Sequence, residues 1–226
     1  KSFFCFSSDF SIKLINFLNK KLNLKNPNNK AEKISTNKFL FRKALKEKKI
    51  LSPFFQQVEL NKLNKLRLNK KSKYICKPIS SSGSRGVFIF KNKKQLTFNI
   101  KKYFNEYCNQ KKVLIEELLH GQMYSIEGFY FKKNFIPICI NKNFKELRYS
   151  LANKSILINL KNKRILRLGE DLAKKCCRAI KVKYAPIHFE FIISNKTKKI
   201  YPIEIALRGA GTYIYGTFLK KILKKD

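Results

Sequence analysis

Acidic residues are what this chain has least of: 14 Asp and Glu stand against 51 Lys and Arg in 226 residues, a formal charge of +37. So strong a positive field attracts any polyanion, which makes nucleic acid or an anionic membrane the first partner to weigh. Arginine is scarce as well. Only eight of the 51 bases are Arg, and the lysines are spread over nearly every segment instead of clustering beside aromatic residues. A phosphate-reading surface favours guanidinium forks, so this distribution argues against a specific nucleic-acid interface. Abundant Lys, Asn, Ile and Phe with no Trp is instead the composition that A- and T-rich codons produce.

The chain has two His and six Cys, with no C-x-x-C pair and no Cys/His cluster at zinc spacing. Cys5, Cys76, Cys108, Cys139, Cys176 and Cys177 lie in apolar stretches and read as small core residues of a reducing cytoplasm. No apolar run approaches the ~18 residues of a membrane span, and KSFFCF does not resemble a secretory signal, so no membrane partner is expected. The first residue is Lys, so the sequence reads as a fragment. What the chain does have is 44% hydrophobic residues, enough for one large domain or two small ones.

Residues 3–6, FFCF, read as a buried strand, and SSDFSIKLINFLNKK as a helix with Phe10, Leu14, Phe17 and Leu18 at helical spacing. One such β-α unit buries too little surface to stand alone, and the Asn-rich LKNPNNKAEKIS after it reads as a linker. A helix is expected over residues 38–48, capped by Ser35 or Thr36, then extended ILSPFFQQVEL. Strand YICKPI, loop SSSGSRG and strand VFIF follow. A helix on Leu96, Ile100, Phe104 and Tyr107 then leads into strand VLIEEL. MYSIEGFYF and FIPICI make a hairpin, residues up to about 167 vary, and a helix passes through Leu168, Leu172, Cys176 and Ile180. A last hairpin, HFEFIISNKTKKIYPIEIALRG, completes an α+β order with mostly antiparallel strands.

Alternation in that hairpin puts Phe189, Phe191, Ile193, Ile203, Ile205 and Leu207 on a core face. The other face carries His188, Glu190, Glu204, Ala206 and Arg208, with Glu190 opposite Glu204 if the turn lies near NKTK. Facing carboxylates repel unless a cation or a shared proton lies between them, and hard oxygens suit Mg²⁺ completed by phosphate. A solvated face neutralised by nearby Lys is the simpler alternative. In YICKPISSSGSRG, Lys77 precedes a loop small enough for backbone amides to approach phosphate, although it lacks Walker spacing. A plain hairpin loop fits those residues equally well. In VLIEELLHG, two carboxylates at a strand end are consistent either with adenine recognition or with a charged edge strand.

In this order, STNKFLFRKAL, YICKPISSSGSRGV, VLIEELLHGQMYSIEG, HFEFII and YPIEIALRGAG resemble the ATP-grasp superfamily from about Ser35 to Tyr215. The resemblance implies an α+β fold of two subdomains, with mainly antiparallel sheets, gripping ATP. Residues 27–226 would form this domain, with a small lid at about 73–119 and a larger metal-binding part at about 120–226. Residues 1–26 would be the remnant of a preceding Rossmann-like domain. By the same resemblance Lys38 and Lys77 contact the phosphates, and the loop Ser82, Gly83, Ser84, Arg85, Gly86 and Val87 closes over them. Glu116, Glu117, Leu118 and Leu119 form the adenine hinge, Glu190 and Glu204 hold Mg²⁺ or Mn²⁺, and Arg208 stabilises the transferred phosphoryl group. The implied reaction is carboxylate–amine ligation through an acyl phosphate, on small-molecule substrates, with room for a homo-oligomer.

Three positions depart from the family pattern: Met123 replaces a ribose-holding Glu, Ala206 an Asn that often adds a metal ligand, and Asn37 an Asp. Two other readings stay open: a nucleotide-binding module without ligase turnover, and a basic polyanion-binding protein.

Overall fold

The computed structural model describes residues 1–5, 8–104, 111–144, 154–158 and 163–210. The expectations placed on Phe6, Tyr107 and Cys108, and on the end of the chain from 211, lie outside these residues. Two antiparallel sheets organise the described chain. The smaller has the order β1-β4-β2-β3, from β1 (Phe55–Glu59), β2 (Tyr74–Pro78), β3 (Phe88–Phe90) and β4 (Lys112–Glu117). β1 joins it from outside the 73–119 span. The larger has the order β7-β6-β5-β8-β9, from β5 (Gly121–Phe131), β6 (Asn134–Phe144), β7 (Lys154–Ile158), β8 (Tyr184–Ser194) and β9 (Ile200–Ala206). This is the α+β architecture expected from the order of motifs.

Each sheet has its own core. In the smaller one Tyr74, Cys76, Val113 and Ile115 face α4 (Lys93–Asn99) through Leu96, and one π-helical turn, Ile100–Phe104, extends that helix. In the larger one the odd positions of β8, Ala185, Ile187, Phe189 and Phe191, pack against α5 (Lys163–Ala179) and α3 (Lys38–Glu47). α5 begins about one turn earlier than its apolar spacing suggested, and β7 was not foreseen. A Cβ on Gly169 of α5 would lie 2.8 Å from the Phe191 ring, so glycine sets how closely this helix approaches the sheet.

The amino-terminal segment departs most from expectation. Residues 3–5 form no strand; instead the Asn19 side chain accepts from the Phe3 N–H at 2.8 Å and donates to the Phe3 carbonyl at 2.8 Å, taking the place of a strand partner. Asn19 belongs to α1 (Asp9–Lys21), whose buried positions are Ile12, Asn16 and Asn19. Phe10, Leu14, Phe17 and Leu18 form the exposed stripe of this helix, Phe10 at 92%. The supposed linker contains α2 (Asn29–Ser35): Asn28 caps it through the Ala31 N–H, and Ala31 and Ile34 join the core. Ser35 and Thr36 donate back to the Glu32 carbonyl, so the cap of α3 is Asn37, bonded to the Leu40 N–H at 3.0 Å. Ile203 also leaves its expected face. The register passes from Glu190↔Glu204 to Phe191↔Pro202, so Ile203 is the extra residue of a β-bulge and stays half-buried outside the main core.

One side chain ties the two sheets together. Arg42 on α3, 2% exposed, donates from Nε to Glu116 of β4 and from its two terminal nitrogens to the carbonyls of Pro202, at 2.8 Å, and Ile203, at 3.1 Å. Lys77 on β2 donates to the other Glu116 oxygen at 2.6 Å. Burial pushes the Glu116 carboxyl pKa up, but Arg42 and then Lys77 outweigh it and hold the value at about 2.

Two measurements check this account. Glu116→Gln leaves the Arg42 charge buried without its counter-ion and should cost ~3–5 kcal/mol in denaturant unfolding at neutral pH. Because the folded pKa lies below the unfolded one, the wild-type contribution is complete above pH 4.5 and disappears as pH falls toward about 2; an unfolding free energy that is flat across that window, relative to Glu116→Gln, contradicts the ion pairing. At Gly121 an added Cβ would lie 2.0 Å from the Ile193 carbonyl oxygen of β8. Gly121→Ala should therefore lower stability by ~1–3 kcal/mol through overpacking, read as a fall in Tm.

Candidate functional site

The polar face of the larger sheet is built in rows. Across the strands Asn141 faces Ser125, Ser125 faces Glu190 and Glu190 faces Glu204. One row further along, Cys139, Glu127, His188 and Ala206 align. The facing carboxylates expected from strand parity are therefore present in the register. The bulge at Ile203 comes just before this pair, and its carbonyl is held by Arg42, so register and bulge are fixed together.

Alternation along MYSIEG was the available signal for Glu127, which the sequence reading did not select. It is fully buried, contacts His188 Nδ1 through Oε1 at 2.5 Å and accepts from the Ala210 N–H at 3.0 Å through Oε2. His188 Nε2 lies 3.6 Å from Glu190. Burial alone would drive the imidazole pKa down, but Glu127 and then Glu190 overcome it and hold it well above the ordinary histidine range. His188 is thus an imidazolium between two carboxylates, Glu127 and Glu190. By contrast, burial pushes the Cys139 thiol up to about 12 and the Cys176 and Cys177 thiols up as well, so these serve as inert core residues rather than nucleophiles.

Arg208 follows β9 and is 8% exposed. Its Nε bonds to Asp9 at 2.5 Å and one terminal nitrogen to the Gly209 carbonyl at 2.7 Å. Asp9 opens α1, so the amino-terminal segment aims the arginine. Nothing in the sequence spacing pointed to that contact across 199 positions.

On the smaller sheet, Lys77 and Glu116 share the face turned away from the α4 core. Lys38 starts α3: its N–H donates to the Ile79 carbonyl at 3.0 Å and its Nζ to the Ser81 carbonyl at 2.5 Å, at the root of the Ser/Gly loop. In that loop Gly83, Ser84 and Gly86 have φ of 65°, 55° and 71°. The left-handed run is what makes glycine necessary here. Arg85 folds back onto Ser82, at 3.1 Å to the carbonyl and 3.2 Å to the hydroxyl. Val87 closes the turn on the Ser84 carbonyl at 3.2 Å.

In the segment joining the sheets, the Glu117 and Leu118 amides are taken by the Phe54 and Lys73 carbonyls, at 3.0 and 2.9 Å. Leu118 and Leu119 remain half-exposed. The Glu116 side chain is committed to Arg42 and Lys77. Arg42 lies in the sequence between the expected Lys38 and the rest of α3, with only its place on a core-facing helix turn to suggest a role.

The two groups of residues are joined by contacts: Lys77 to Glu116, Glu116 to Arg42, Arg42 to Ile203, and Ile203 directly to Glu204. Among the described residues no cluster of three or more His, Cys, Asp or Glu is arranged to hold a metal. Two hard carboxylate oxygens with Ala206 beside them nevertheless fit Mg²⁺, which keeps most of its positions for water and phosphate oxygens.

A family model described as the ATP-grasp domain matches residues 71–215. Among solved structures, an L-amino acid ligase from Bacillus licheniformis superposes with TM-score 0.76 at 16% identity, over 94% of this chain and 50% of that one. A D-alanine–D-alanine ligase from Helicobacter pylori gives TM-score 0.66 at 21% identity, over 96% and 66%. Phosphoribosylglycinamide synthetase from Anaerococcus prevotii gives 0.63 at 16%, over 95% and 53%. The chain thus spans half to two thirds of these structures. No curated relative matches the sequence. The family match covers well over half the chain, and the same two-sheet architecture recurs in those ligases: the chain belongs to the ATP-grasp family.

Proposed function

We propose that this chain is the ATP-binding part of a Mg²⁺-dependent ligase that joins a carboxylate to an amine through an acyl phosphate. The observation that carries this reading is the Glu190↔Glu204 pair, linked through Arg42 and Glu116 to Lys77 on the opposite sheet. Lys77 and Lys38 neutralise phosphate oxygens while the loop of residues 82–87 covers them. Adenine lies against Leu118 and Leu119, where the Leu119 amide and the neighbouring carbonyls read the ring edge. Glu190 and Glu204 would hold the metal, which when bound offsets the charge of the β- and γ-phosphates. Arg208, aimed by Asp9, faces the charge that develops as the substrate carboxylate attacks the γ-phosphorus and ADP leaves. The amine then attacks the acyl carbon and phosphate departs. Loop closure keeps water from hydrolysing the acyl phosphate. The outward stripe Phe10, Leu14, Phe17 and Leu18 supports residues 1–26 as the end of a preceding domain that packs there.

Met123 and Ala206 favour a second reading, nucleotide binding without ligase turnover, because each removes an oxygen that the family pattern supplies. With the complete gene product and a panel of small carboxylates and amines, ADP release that requires both substrates is expected. Glu190→Gln and Glu204→Gln should each lower kcat by about a hundredfold, the scale of one removed electrostatic stabiliser. Mg²⁺-dependent nucleotide binding without ADP release on any pair would leave the module reading in place. Wild-type turnover in both variants would remove these glutamates from the metal site.

A further inference from the structure

On the side of the larger sheet opposite the carboxylate rows lies an open groove of about 860 Å³, between the end of α3, one face of α5 and the tip of the β8–β9 hairpin. That volume falls in the roughly 300–1,000 Å³ range of ligand-binding clefts. Its floor is apolar, with Leu172 buried, Ile193 and Ile200 half-buried, and Leu51 and Leu168 each 40% exposed. Its rim is cationic: Lys48, Lys49, Lys175, Arg178, Lys198 and Lys199, all exposed. No Asp or Glu lines it, and none of the six cations forms a carboxylate ion pair among the described residues. Asp171, one turn before Lys175, is not part of the lining. Six of 13 lining residues are basic, against 51 of 226 in the chain, so the rim exceeds even this lysine-rich background about twofold.

We infer that this groove docks an acidic amphipathic helix of a partner protein, with the helix's apolar stripe on Leu51, Leu168 and Leu172 and its carboxylates on the lysine rim. Charge complementarity selects this occupant. A second copy of a chain with charge +37 would be repelled. Nucleic acid is disfavoured because no aromatic side chain lines the groove for base stacking. A bilayer cannot follow a recessed floor, whereas a helix about 10 Å across can.

The test uses the 226-residue chain and a fluorescent synthetic helix of about 14 residues with Leu on one stripe and Glu elsewhere. Its anisotropy is followed at about 0.15 M salt, where long-range attraction is largely screened. Micromolar binding is expected, and a scrambled peptide of the same composition should bind at least about tenfold more weakly. Lys48→Glu/Lys175→Glu/Lys198→Glu and, separately, Leu51→Asn/Leu168→Asn should each weaken binding by about tenfold or more. Reversal of the remote exposed Lys70, Lys94 and Lys101 should change it less than about twofold. Equal binding of the scrambled peptide, or equal loss on reversing the remote lysines, overturns the proposal in favour of a general electrostatic field. If an oligouridylate or phosphatidylserine vesicles bind more tightly than the peptide and lose that binding on the groove substitutions, the occupant is a nucleic acid or a membrane, and the proposal fails.

Discussion

The Arg42–Glu116 pair is the constraint on which both sheets depend. A buried guanidinium is tolerated only when its charge is balanced and its donors are used. Here Glu116 supplies the charge and the Pro202 and Ile203 carbonyls accept the remaining hydrogen bonds. β9 is the edge strand of its sheet and the bulge leaves Ile203 out of the register with β8, so these carbonyls can turn to a donor outside the sheet. Removing any member would leave another unsatisfied. The pair therefore sets the smaller sheet against the larger at the point where the chain crosses between them, and it brings Lys77 and Glu204 into one connected network.

The polar face of the larger sheet also depends on a second charge balance. Glu190 and Glu204 directly opposite one another are unfavourable on a bare sheet. His188, charged through its bond to Glu127, offsets part of that repulsion, and Glu127 is itself fixed by the Ala210 amide. Arg208 is fixed in the same way by Asp9. Glu190 and Arg208 are thus each set beside a buried or half-buried neighbour, His188 and Asp9.

Legibility in the sequence followed the range of the interaction. Period-two alternation gave the polar face of β8 and β9 and placed Glu190 opposite Glu204, because strand parity is local. The bulge at Ile203 was not legible, since the side chain that bonds its carbonyl lies 161 residues away. Helical spacing found α1 and its apolar stripe but not the face that packs on this chain: Asn16 and Asn19 are buried through specific hydrogen bonds, while the phenylalanines face outward. Apolar periodicity reports that a stripe needs a cover and cannot say whether the cover lies within the same chain segment. Arg42 was hidden for a related reason. In a chain with 51 basic residues, one more arginine on a helix carries no signal until its partners are known.

The same reasoning explains where the few acids remain. Where solvent can replace a carboxylate, a lysine-rich composition costs the fold little, because surface ion pairs contribute only ~0–1 kcal/mol. Glu116 and Glu127 cannot be replaced in this way: one neutralises Arg42 and Lys77, the other His188, and both are fully or almost fully buried. Asp9 orients an arginine and Glu32 holds Asn16 beneath α1, so these contacts too are specific rather than part of a solvated face. An acid buried with a fixed cationic partner is therefore one whose loss costs the fold, whatever the composition of the surface. Glu116 and Glu127 are thus buried with the cations they neutralise, while Glu190 and Glu204 stand half-buried opposite one another on the polar face of the larger sheet.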